Sequence, residues 1–302
     1  RCRHRKQQTI WAQNVADDAA DDAANGSAAF LEDLPPLRDV LAAHEIRATK
    51  TLGQNFLLDL NLTRKIARAG GSIMGKTVLE IGAGPGGLTR ALLAEGAGHV
   101  VAIERDRRCL AALEELAAVV PGRLTLVEGD ALEVDEYALT PRPSRIVANL
   151  PYNISTPLLF KWLDRLDLFE SMTLMFQKEV AQRIIAPPGG KTYGRLSVMV
   201  QWRCAATALF DLPPRAFTPA PKVTSTVIGL TPLVEPRAPA DAAILERVVA
   251  AAFGQRRKML RASLKQVSSD PLALLAAAGL EPTLRAENLS VEQFCALARA
   301  AT

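Results

Sequence analysis

The chain has 302 residues with a formal net charge of +4, and 49% of them are hydrophobic and 23% charged, a balance typical of a globular protein with a sizeable core. No apolar run approaches the roughly 18 residues of a membrane helix, which argues against a membrane protein. The four Cys and three His residues are scattered without paired spacing, which argues against a disulfide framework and a metal site. Scattered cysteines indicate a reducing compartment, and we expect a cytoplasmic protein. Residues 1–160 hold 18 Lys and Arg against 20 Asp and Glu, whereas residues 161–302 hold 18 against 12, so the second half predicts a polyanionic partner such as nucleic acid.

The first segment in chain order, residues 1–35, is predicted to be a disordered tail. It begins with the basic run "RCRHRK" and continues with "DDAADDAANGSAA", which is too polar and alanine-rich to build a core. An Arg-rich start can direct import into an organelle, but transit peptides avoid acidic residues, and this segment contains four Asp residues in close succession.

From Thr77 onward, strand-like and helix-like stretches alternate. "TVLEIGAG", "HVVAIERD", "RLTLVEGD", "SRIVANLPY" and "MTLMFQ" are typical of strands, and stretches between them such as "RRCLAALEELAAV" are typical of helices. This alternation predicts a mainly parallel sheet covered on both faces, in a Rossmann-like α/β domain over residues 36–234. "LSVMVQWRCAATAL" and "KVTSTVIGLTP" are predicted to be a closing pair of strands, and a purely helical domain is predicted over residues 235–302.

A glycine-rich loop follows the first strand of this sheet. In "EIGAGPGG", Gly82, Gly84 and Gly87 fit the pattern G-x-G-x-x-G, and Glu104 closes the next strand 22 residues after Gly82. Glycines let the backbone approach a ligand closely, and the carboxylate can accept hydrogen bonds from the hydroxyls of a ribose. The pattern predicts a nucleoside-bearing cofactor, and it suits NAD and S-adenosylmethionine equally.

Two further strand ends carry polar residues. "VEGDAL" places Asp130 at the carboxyl end of the third strand, where an acid can accept a hydrogen bond from an adenine amino group, and Asn149 follows the strand "SRIVA". Ligands of open parallel sheets bind beyond the carboxyl ends of the strands. We therefore expect Gly82, Glu104, Asp130 and Asn149 to converge on one crevice.

The stretch "IVANLPYNIS" sets an amide, a proline and an aromatic ring at the end of a strand. An exocyclic amine such as adenine N6 is a poor nucleophile because its lone pair is delocalised into the ring. The Asn149 side-chain oxygen and a backbone carbonyl near Pro151 can accept both N–H groups and localise that lone pair, while Tyr152 can stack on a base flipped out of its helix. The turn therefore predicts a clamp for a flipped base, with the methyl group supplied by a sulfonium cofactor.

Nine stretches of the chain together resemble one enzyme family. They are "KTLGQNFLLD", "EIGAGPGGLT", "AIERD", "EGDAL", "NLPYNISTPLLF", "QKEVAQRI", "YGRLSVMVQ", "FTPAPKVTSTVI" and "FGQRRKMLRASL". In order and spacing they resemble the ribosomal RNA adenine N6-dimethyltransferases, and most of all the bacterial small-subunit branch linked to kasugamycin sensitivity. The resemblance runs from about Arg47 to near the C-terminus.

The resemblance implies an S-adenosylmethionine-dependent enzyme with a Rossmann-like class I methyltransferase fold and a small all-helical C-terminal domain. Its products would be two adjacent dimethyladenosines in a hairpin loop near the 3′ end of small-subunit rRNA, made on an immature subunit by a monomeric enzyme. It implies cofactor contacts at Asn55 and Leu57 in addition to those at the four strand ends. It also implies that Asn149 and Tyr152 hold the target amine and that Phe217 covers the other face of the adenine.

The stretch "FGQRRKMLRASL" is the candidate RNA-binding surface. It carries Arg256, Arg257, Lys258 and Arg261, and their spacing predicts that several share one helical face. The basic second half of the chain and the family resemblance favour phosphate binding over a merely solvated charge run.

Four other functions compete with this interpretation. The large-subunit rRNA dimethyltransferases that give macrolide resistance share the clamp, but "NLPYNISTPLLF" and "FGQRRKMLRASL" resemble the small-subunit branch more closely. DNA adenine methyltransferases usually carry a different clamp and a recognition domain. Non-catalytic relatives often lose clamp or cofactor residues, all of which are present here. An NAD enzyme would have no use for the clamp.

Overall fold

A computed structural model of the protein describes residues 34–140 and 144–301, except for the Lys50 side chain. The tail predicted over residues 1–35 lies almost wholly outside the described residues and stays a prediction. The described α-helices are α1 (Leu37–Ala43), α2 (Leu60–Ala69), α3 (Gly87–Ala94), α4 (Arg107–Val119), α5 (Ser155–Leu163), α6 (Lys178–Ile185), α7 (Arg195–Arg203), α8 (Ala242–Gly254), α9 (Leu260–Ser263), α10 (Pro271–Ala277) and α11 (Val291–Ala300). The described strands are β1 (Phe56–Leu57), β2 (Thr77–Ile81), β3 (His99–Glu104), β4 (Leu124–Glu128), β5 (Ser144–Ala148), β6 (Phe169–Gln177), β7 (Cys204–Leu212), β8 (Phe217–Thr218) and β9 (Ser225–Pro232).

Seven of the strands form one sheet in the order β4-β3-β2-β5-β6-β9-β7. Strands β4, β3, β2, β5 and β6 are paired in parallel, whereas β7 and β9 are paired antiparallel. The predicted α/β architecture is therefore confirmed. Strand β2 pairs with β3 on one side and with β5 on the other, so the strand order reverses beside β2. In open sheets of this kind the ligand crevice lies at that reversal, beyond the carboxyl ends of the strands.

Chain contacts divide the protein into two compact units. The first contains the residues up to 161 together with 167–175 and 213–222, and it holds β2, β3, β4, β5 and most of β6. It also contains a two-stranded antiparallel sheet of β1 and β8, in which Leu57 lies opposite Phe217. The first unit therefore contains the strand ends at which the cofactor residues were predicted.

The second unit contains residues 162–166, 176–212 and the chain from 223 onward. It holds the β7–β9 pair and helices α6 to α11. The boundary predicted at residues 234/235 follows the change to all-helical secondary structure, whereas the grouping by contacts places β7 and β9 with the C-terminal helices. In the core of this unit the ring of Phe253 lies 5.9 Å from that of Tyr193 and 5.6 Å from that of Phe294.

The strand predicted to start at Leu196 is wrong, because Arg195–Arg203 forms helix α7 and β7 begins only at Cys204. Gly194 N–H donates to Ser197 Oγ at 3.1 Å, which closes the first turn of the helix. Six of the nine helix residues are buried, on all sides of the helix. A helix buried all round shows no clear amphipathic period in its sequence, so the period cannot distinguish it from a buried strand.

Candidate active site

A cavity in the first unit is lined by residues from the carboxyl ends of β2, β3 and β5, from the loop after β4 and from the segment before β1. All seven predicted cofactor and clamp positions other than Phe217 line it, namely Asn55, Leu57, Gly82, Glu104, Asp130, Asn149 and Tyr152. The predicted convergence of four strand ends on one crevice is thus confirmed as geometry. What each residue does there stays a prediction.

The glycine-rich loop forms a backbone cradle that side chains would obstruct. Gly82 and Gly84 adopt φ of +70° and +56°, values that favour glycine. A Cβ atom on Gly87 would lie 2.4 Å from the Leu57 carbonyl oxygen, so only glycine lets α3 begin this close to β1. The sequence pattern therefore corresponds to a loop whose shape depends on each of these glycines.

Glu104 lies at the carboxyl end of β3 and is held by three backbone N–H groups. Its Oε2 accepts from Gly84 at 2.7 Å, and its Oε1 accepts from Arg105 and Asp106, both at 2.8 Å. Burial raises the pKa of this carboxyl above its ordinary value, and the three hydrogen bonds act in the opposite direction. Since a carboxylate offers about four acceptor sites, Oε2 keeps one site for a ribose hydroxyl while Oε1 is fully used.

Glu80 is a cavity residue that the sequence analysis did not single out. It lies within β2, is only 1% exposed and lines the cavity. Its Oε2 makes no hydrogen bond of ordinary length with any described residue, but the buried Thr89 hydroxyl lies near the carboxyl and acts to lower its pKa. Burial, together with the negative charge of Glu104, raises the pKa of Glu80 to about 8. The one signal in the sequence was an acid inside the apolar strand "TVLEI".

Asp130 is fixed by neighbours on both carboxylate oxygens. Its Oδ2 pairs with Arg105 at 2.9 Å, and its Oδ1 accepts the backbone N–H of Leu132 at 3.0 Å. The loop that follows is held by Lys161 of α5, whose ammonium group donates to the Ala131 carbonyl at 2.8 Å and pairs with the Glu136 carboxylate. Asp130 therefore has a defined position and retains acceptor capacity for one donor of a base.

Asn149 follows β5, and its amide has one defined orientation. Its Nδ2 donates to the backbone carbonyl of Asn55 at 3.2 Å, and because a carbonyl can only accept, the nitrogen must face Asn55. The Asn149 Oδ1 receives no hydrogen bond from any residue that the structure describes. The Pro151 carbonyl accepts from Ile154 N–H at 3.1 Å, which leaves it one lone pair. The two acceptors predicted for a target amine are therefore present, and each can accept one further hydrogen bond.

The two predicted aromatic contacts differ in their exposure. Tyr152 lines the cavity and is half-buried. Phe217 lies on β8, is 4% exposed and does not line the cavity, although Leu57, opposite it in the β1–β8 pair, does. The structure thus brings Tyr152 to the site and places Phe217 one strand behind the cavity wall.

The predicted helical face of basic residues is wrong. Helix α8 ends at Gly254 and α9 begins at Leu260, so Arg256, Arg257 and Lys258 lie in the turn between them. Gln255, with φ −124° and ψ 53°, ends the helix before them. The spacing could not show this, because the residues after Gly254 are themselves compatible with a helix.

The four basic residues also differ in their contacts. Arg256 pairs with Glu287 at 3.0 Å and donates to the carbonyls of Gly190 and Lys191, so its guanidinium group connects three segments of the second unit. Arg257, Lys258 and Arg261 are exposed and form no ion pair with any described residue. Their binding to RNA stays a prediction, and Arg256 has in addition an internal structural role.

Residues 34–140 and 144–301 contain neither a metal-binding cluster nor a membrane-spanning helix. No group of three His, Cys, Asp or Glu side chains in these residues could hold a metal ion, and no described helix is both long and apolar enough to cross a membrane. Three of the four cysteines are described, and all three are free and buried.

The cavity fits a nucleoside cofactor. The glycine cradle lets a ligand approach the backbone closely, and Glu104 has an acceptor site for a ribose hydroxyl. NAD has no need of an amide oriented as Asn149 is, whereas methyl transfer to an amine does. Fold and site together therefore define a Rossmann-like methyltransferase that acts on an aromatic amine.

Comparison with known proteins identifies the family. A family model described as ribosomal RNA adenine dimethylase matches residues 45–302. The chain is 61% identical over 272 residues to the ribosomal RNA small subunit methyltransferase A of Ruegeria sp. (strain TM1040), which covers 89% of this chain and 97% of that protein. The chain belongs to the ribosomal RNA adenine dimethylase family.

Two solved structures share the fold. A dimethyladenosine transferase from Plasmodium falciparum has a TM-score of 0.68 at 28% identity, over 79% of this chain and 94% of that chain. The 23S rRNA methyltransferase ErmE has a TM-score of 0.62 at 27% identity, over 82% of this chain and 99% of that chain. The architecture is thus common to a dimethyladenosine transferase and a 23S rRNA methyltransferase, so the fold alone does not define the substrate.

Proposed function

We propose that the protein transfers methyl groups from S-adenosylmethionine to N6 of two adjacent adenosines in a hairpin loop near the 3′ end of small-subunit rRNA. The observation that carries the proposal is the Asn149 amide, whose Nδ2 is fixed by the Asn55 carbonyl while its Oδ1 faces no described donor. Family membership supports adenine dimethylation as the reaction, and 61% identity to a small-subunit enzyme supports small-subunit rRNA as the substrate.

The residues of the site perform binding and orientation. Glu104 accepts a ribose hydroxyl, Asp130 accepts a donor of the cofactor's base, and Asn55 and Leu57 cover the methionine end. The bound cofactor supplies an electrophilic methyl group on a sulfonium sulfur. Asn149 Oδ1 and the Pro151 carbonyl accept the two N–H groups of the adenine amine, which localises its lone pair and holds it in line for attack. Tyr152 stacks on one face of the base.

Phe217 is proposed to cover the other face of the adenine. Its 4% exposure means that the ring must move towards the cavity, or that the base must enter beyond Leu57, before the two can touch. Exposed Arg257, Lys258 and Arg261 are proposed to bind phosphates of the RNA. Attraction of this kind is independent of sequence and positions the substrate without selecting the target base.

The large-subunit alternative is the second candidate, and the degree of similarity argues against it. The chain is 61% identical to the small-subunit enzyme and 27% identical to the 23S rRNA methyltransferase ErmE. We infer further that the protein acts as a monomer, in the cytoplasm and on an immature small subunit. The similarity to a small-subunit enzyme supports the choice of subunit.

Methyl transfer to four purified substrates tests the proposal. Immature small subunits, mature small subunits, naked small-subunit rRNA and naked large-subunit rRNA would each receive labelled S-adenosylmethionine. We expect dimethyladenosine in immature small subunits alone. Label in large-subunit RNA would instead support the second candidate, and absence of label from all four would contradict the proposal.

A further inference from the structure

Five residues, 53–57, connect the parts of the site that handle the amine; we call them the bridging segment. The Asn55 carbonyl accepts the hydrogen bond that orients the Asn149 amide, at 3.2 Å. In the same segment Leu57 lies opposite Phe217 in the β1–β8 pair. The proposed amine acceptor and the proposed stacking ring are therefore both attached to this segment.

The bridging segment also passes very close to the turn that carries Pro151 and Tyr152. At Gly53, with φ +64°, a Cβ atom would lie 2.7 Å from the Asn153 Oδ1 and 3.6 Å from the Pro151 ring. A side chain at position 53 would have to displace the exposed Asn153 amide. The bridging segment and the turn are therefore in direct contact, so a shift of the segment would change the position of the turn or break the contact.

The opposite side of the bridging segment is held by Asp106. Gln54 Nε2 donates to Asp106 Oδ2 at 3.0 Å, and Gln54 Oε1 accepts the backbone N–H of Thr49 at 2.9 Å. Asp106 is 7% exposed, and its own N–H donates to the Glu104 carboxylate at 2.8 Å. Gln54 is thus one hydrogen bond from Asp106 and two from the carboxylate that is proposed to hold the cofactor's ribose.

Arg108 completes this contact. It pairs with Asp106 at 2.6 Å, and the same guanidinium group donates to the Thr49 hydroxyl at 3.1 Å and to the Arg47 carbonyl at 3.3 Å. The hydrogen bonds from Arg108 and Gln54 lower the pKa of Asp106, so the acceptor is ionised at neutral pH. Asp106 therefore holds Gln54 of the bridging segment directly, and through Arg108 it also holds residues 47 and 49, which precede the segment.

We propose that Gln54 and Asp106 are positioning residues for the reaction: their hydrogen bond fixes the bridging segment, whose Asn55 carbonyl in turn fixes the Asn149 amide. The cofactor side of the cavity and the amine side are thereby coupled through the contacts Glu104–Asp106–Gln54 and Asn55–Asn149. This inference rests on the proposed function, since it assigns an origin to the orientation of the amine acceptor.

The test exchanges the donor and acceptor of this one hydrogen bond. Gln54→Glu keeps the side-chain size but sets two carboxylates against each other, and we expect kcat at saturating S-adenosylmethionine and substrate to fall by about two- to tenfold, the range of one hydrogen bond. Asp106→Asn alone should lower kcat to a similar extent. Because Asn caps a helix as well as Asp does, this loss would not come from a weaker start of helix α4. In the double variant the amide introduced at position 106 can donate to the carboxylate introduced at position 54, but its nitrogen cannot accept from Arg108 as Asp106 Oδ2 does. We therefore expect kcat of the double variant to exceed that of either single variant without reaching that of the wild type.

A second readout does not depend on activity. Amide hydrogen exchange over residues 49–57 should speed up in both single variants and return towards the wild-type rate in the double variant, because Thr49 N–H is bonded to the Gln54 side chain. Asp241→Asn is the matched control: Asp241 also caps a helix, by accepting from Ile244 N–H, and it belongs to the second unit. We expect this control to leave both readouts unchanged.

The outcomes separate this inference from the proposed function. Inactive wild-type protein would contradict the proposed function, whereas the exchange measurement would still report on the segment. Active wild-type protein with single variants that stay fully active, or with a double variant no better than the single ones, would overturn the assignment of Gln54 and Asp106.

Discussion

Glu80, one residue before the end of β2, and Glu104, at the end of β3, line one cavity. The negative charge of Glu104 adds to the burial that raises the pKa of Glu80 to about 8. The pair places a carboxyl held by three backbone N–H groups beside one that is largely protonated at neutral pH. The site thus combines a fixed acceptor with a group whose charge depends on its surroundings.

The protonation of Glu80 predicts how stability depends on pH. A carboxyl whose folded pKa, about 8, exceeds its ordinary value of 4.5 holds more protons in the folded state between these two values. Its contribution to stability is therefore present below about pH 4.5 and is lost as the pH rises towards 8, by up to about 1.4 kcal/mol per pH unit. We expect Glu80→Gln to remove this contribution, as measured by denaturant unfolding of both proteins from pH 5 to pH 8. Parallel pH profiles would show that Glu80 is ionised in the folded protein.

Replacement of Asn149 by Ala should abolish most of the methyl transfer and leave the fold intact. It removes an amine acceptor that acts in the transition state, and losses of this kind cost about 10²–10³ in rate. Single-turnover methylation measures the effect, and Asn61→Ala, an exposed amide on α2, serves as the control. Near-normal turnover of the Asn149 variant would refute the clamp.

Glu104→Gln should weaken S-adenosylmethionine binding more than RNA binding. The glutamine amide offers one oxygen where the carboxylate offers two, so at least one of three backbone N–H groups would face an NH₂ group. A buried donor left without an acceptor costs about 1–3 kcal/mol, and we therefore expect a lower melting temperature as well. Calorimetry with each ligand checks the first effect and thermal unfolding the second.

The control for that experiment is Glu128→Gln. Glu128 lies opposite Glu104 in the β3–β4 register, is exposed, and pairs with the exposed Arg107. It carries the same change of charge without the backbone contacts. Equal losses of cofactor affinity in both variants would show that net charge, and not the contacts of Glu104, governs binding.

The salt dependence of subunit binding tests the basic residues in the turn after α8 and on α9, with two sets of variants. Changing Arg257, Lys258 and Arg261 together to Ala should weaken subunit binding and reduce the slope of log affinity against log salt by roughly 0.7–0.9 for each lost phosphate contact. Arg256→Ala should instead lower the free energy of unfolding, because it breaks the pairing with Glu287 and two hydrogen bonds to carbonyls.

Arg38→Ala, an exposed arginine on α1, is the control for the first set. A well-folded triple variant with the salt slope of the wild type would mean that these three charges are only solvated. A fully stable Arg256 variant with a reduced slope would mean that Arg256 binds phosphate and that its internal contacts contribute little.

Some features of the site were predictable because they depend on chain direction and spacing alone. Parallel strands bring their carboxyl ends to one edge, so Gly82, Glu104, Asp130 and Asn149 had to meet if the strands were predicted correctly. The hydrogen bond of Asn149 to Asn55 could not be predicted, because it joins residues 94 positions apart. Spacing within a motif carries no information about such a partner.

Other features were missed for different reasons. The environment of Glu80 depends on burial from both faces of the sheet, which an isolated acid in a strand indicates but does not prove. Helix α7 was mistaken for a strand because its residues are buried all round. The basic turn was mistaken for a helix because the dihedral angles of Gln255, and not its side chain, end α8.

The pairing of β1 with β8 sets the order in which the cavity can be completed during synthesis. Phe56 leaves the ribosome about 160 residues before Thr218, its partner in the pair. At a translation rate of roughly 5–20 residues per second, β8 is synthesised on the order of 8–30 s after β1. Once residue 154 has been made, the nascent chain contains every residue that lines the cavity, yet until β8 is synthesised the bridging segment has no strand to pair with. The newly made protein can therefore complete its cofactor site only after most of the chain has been translated.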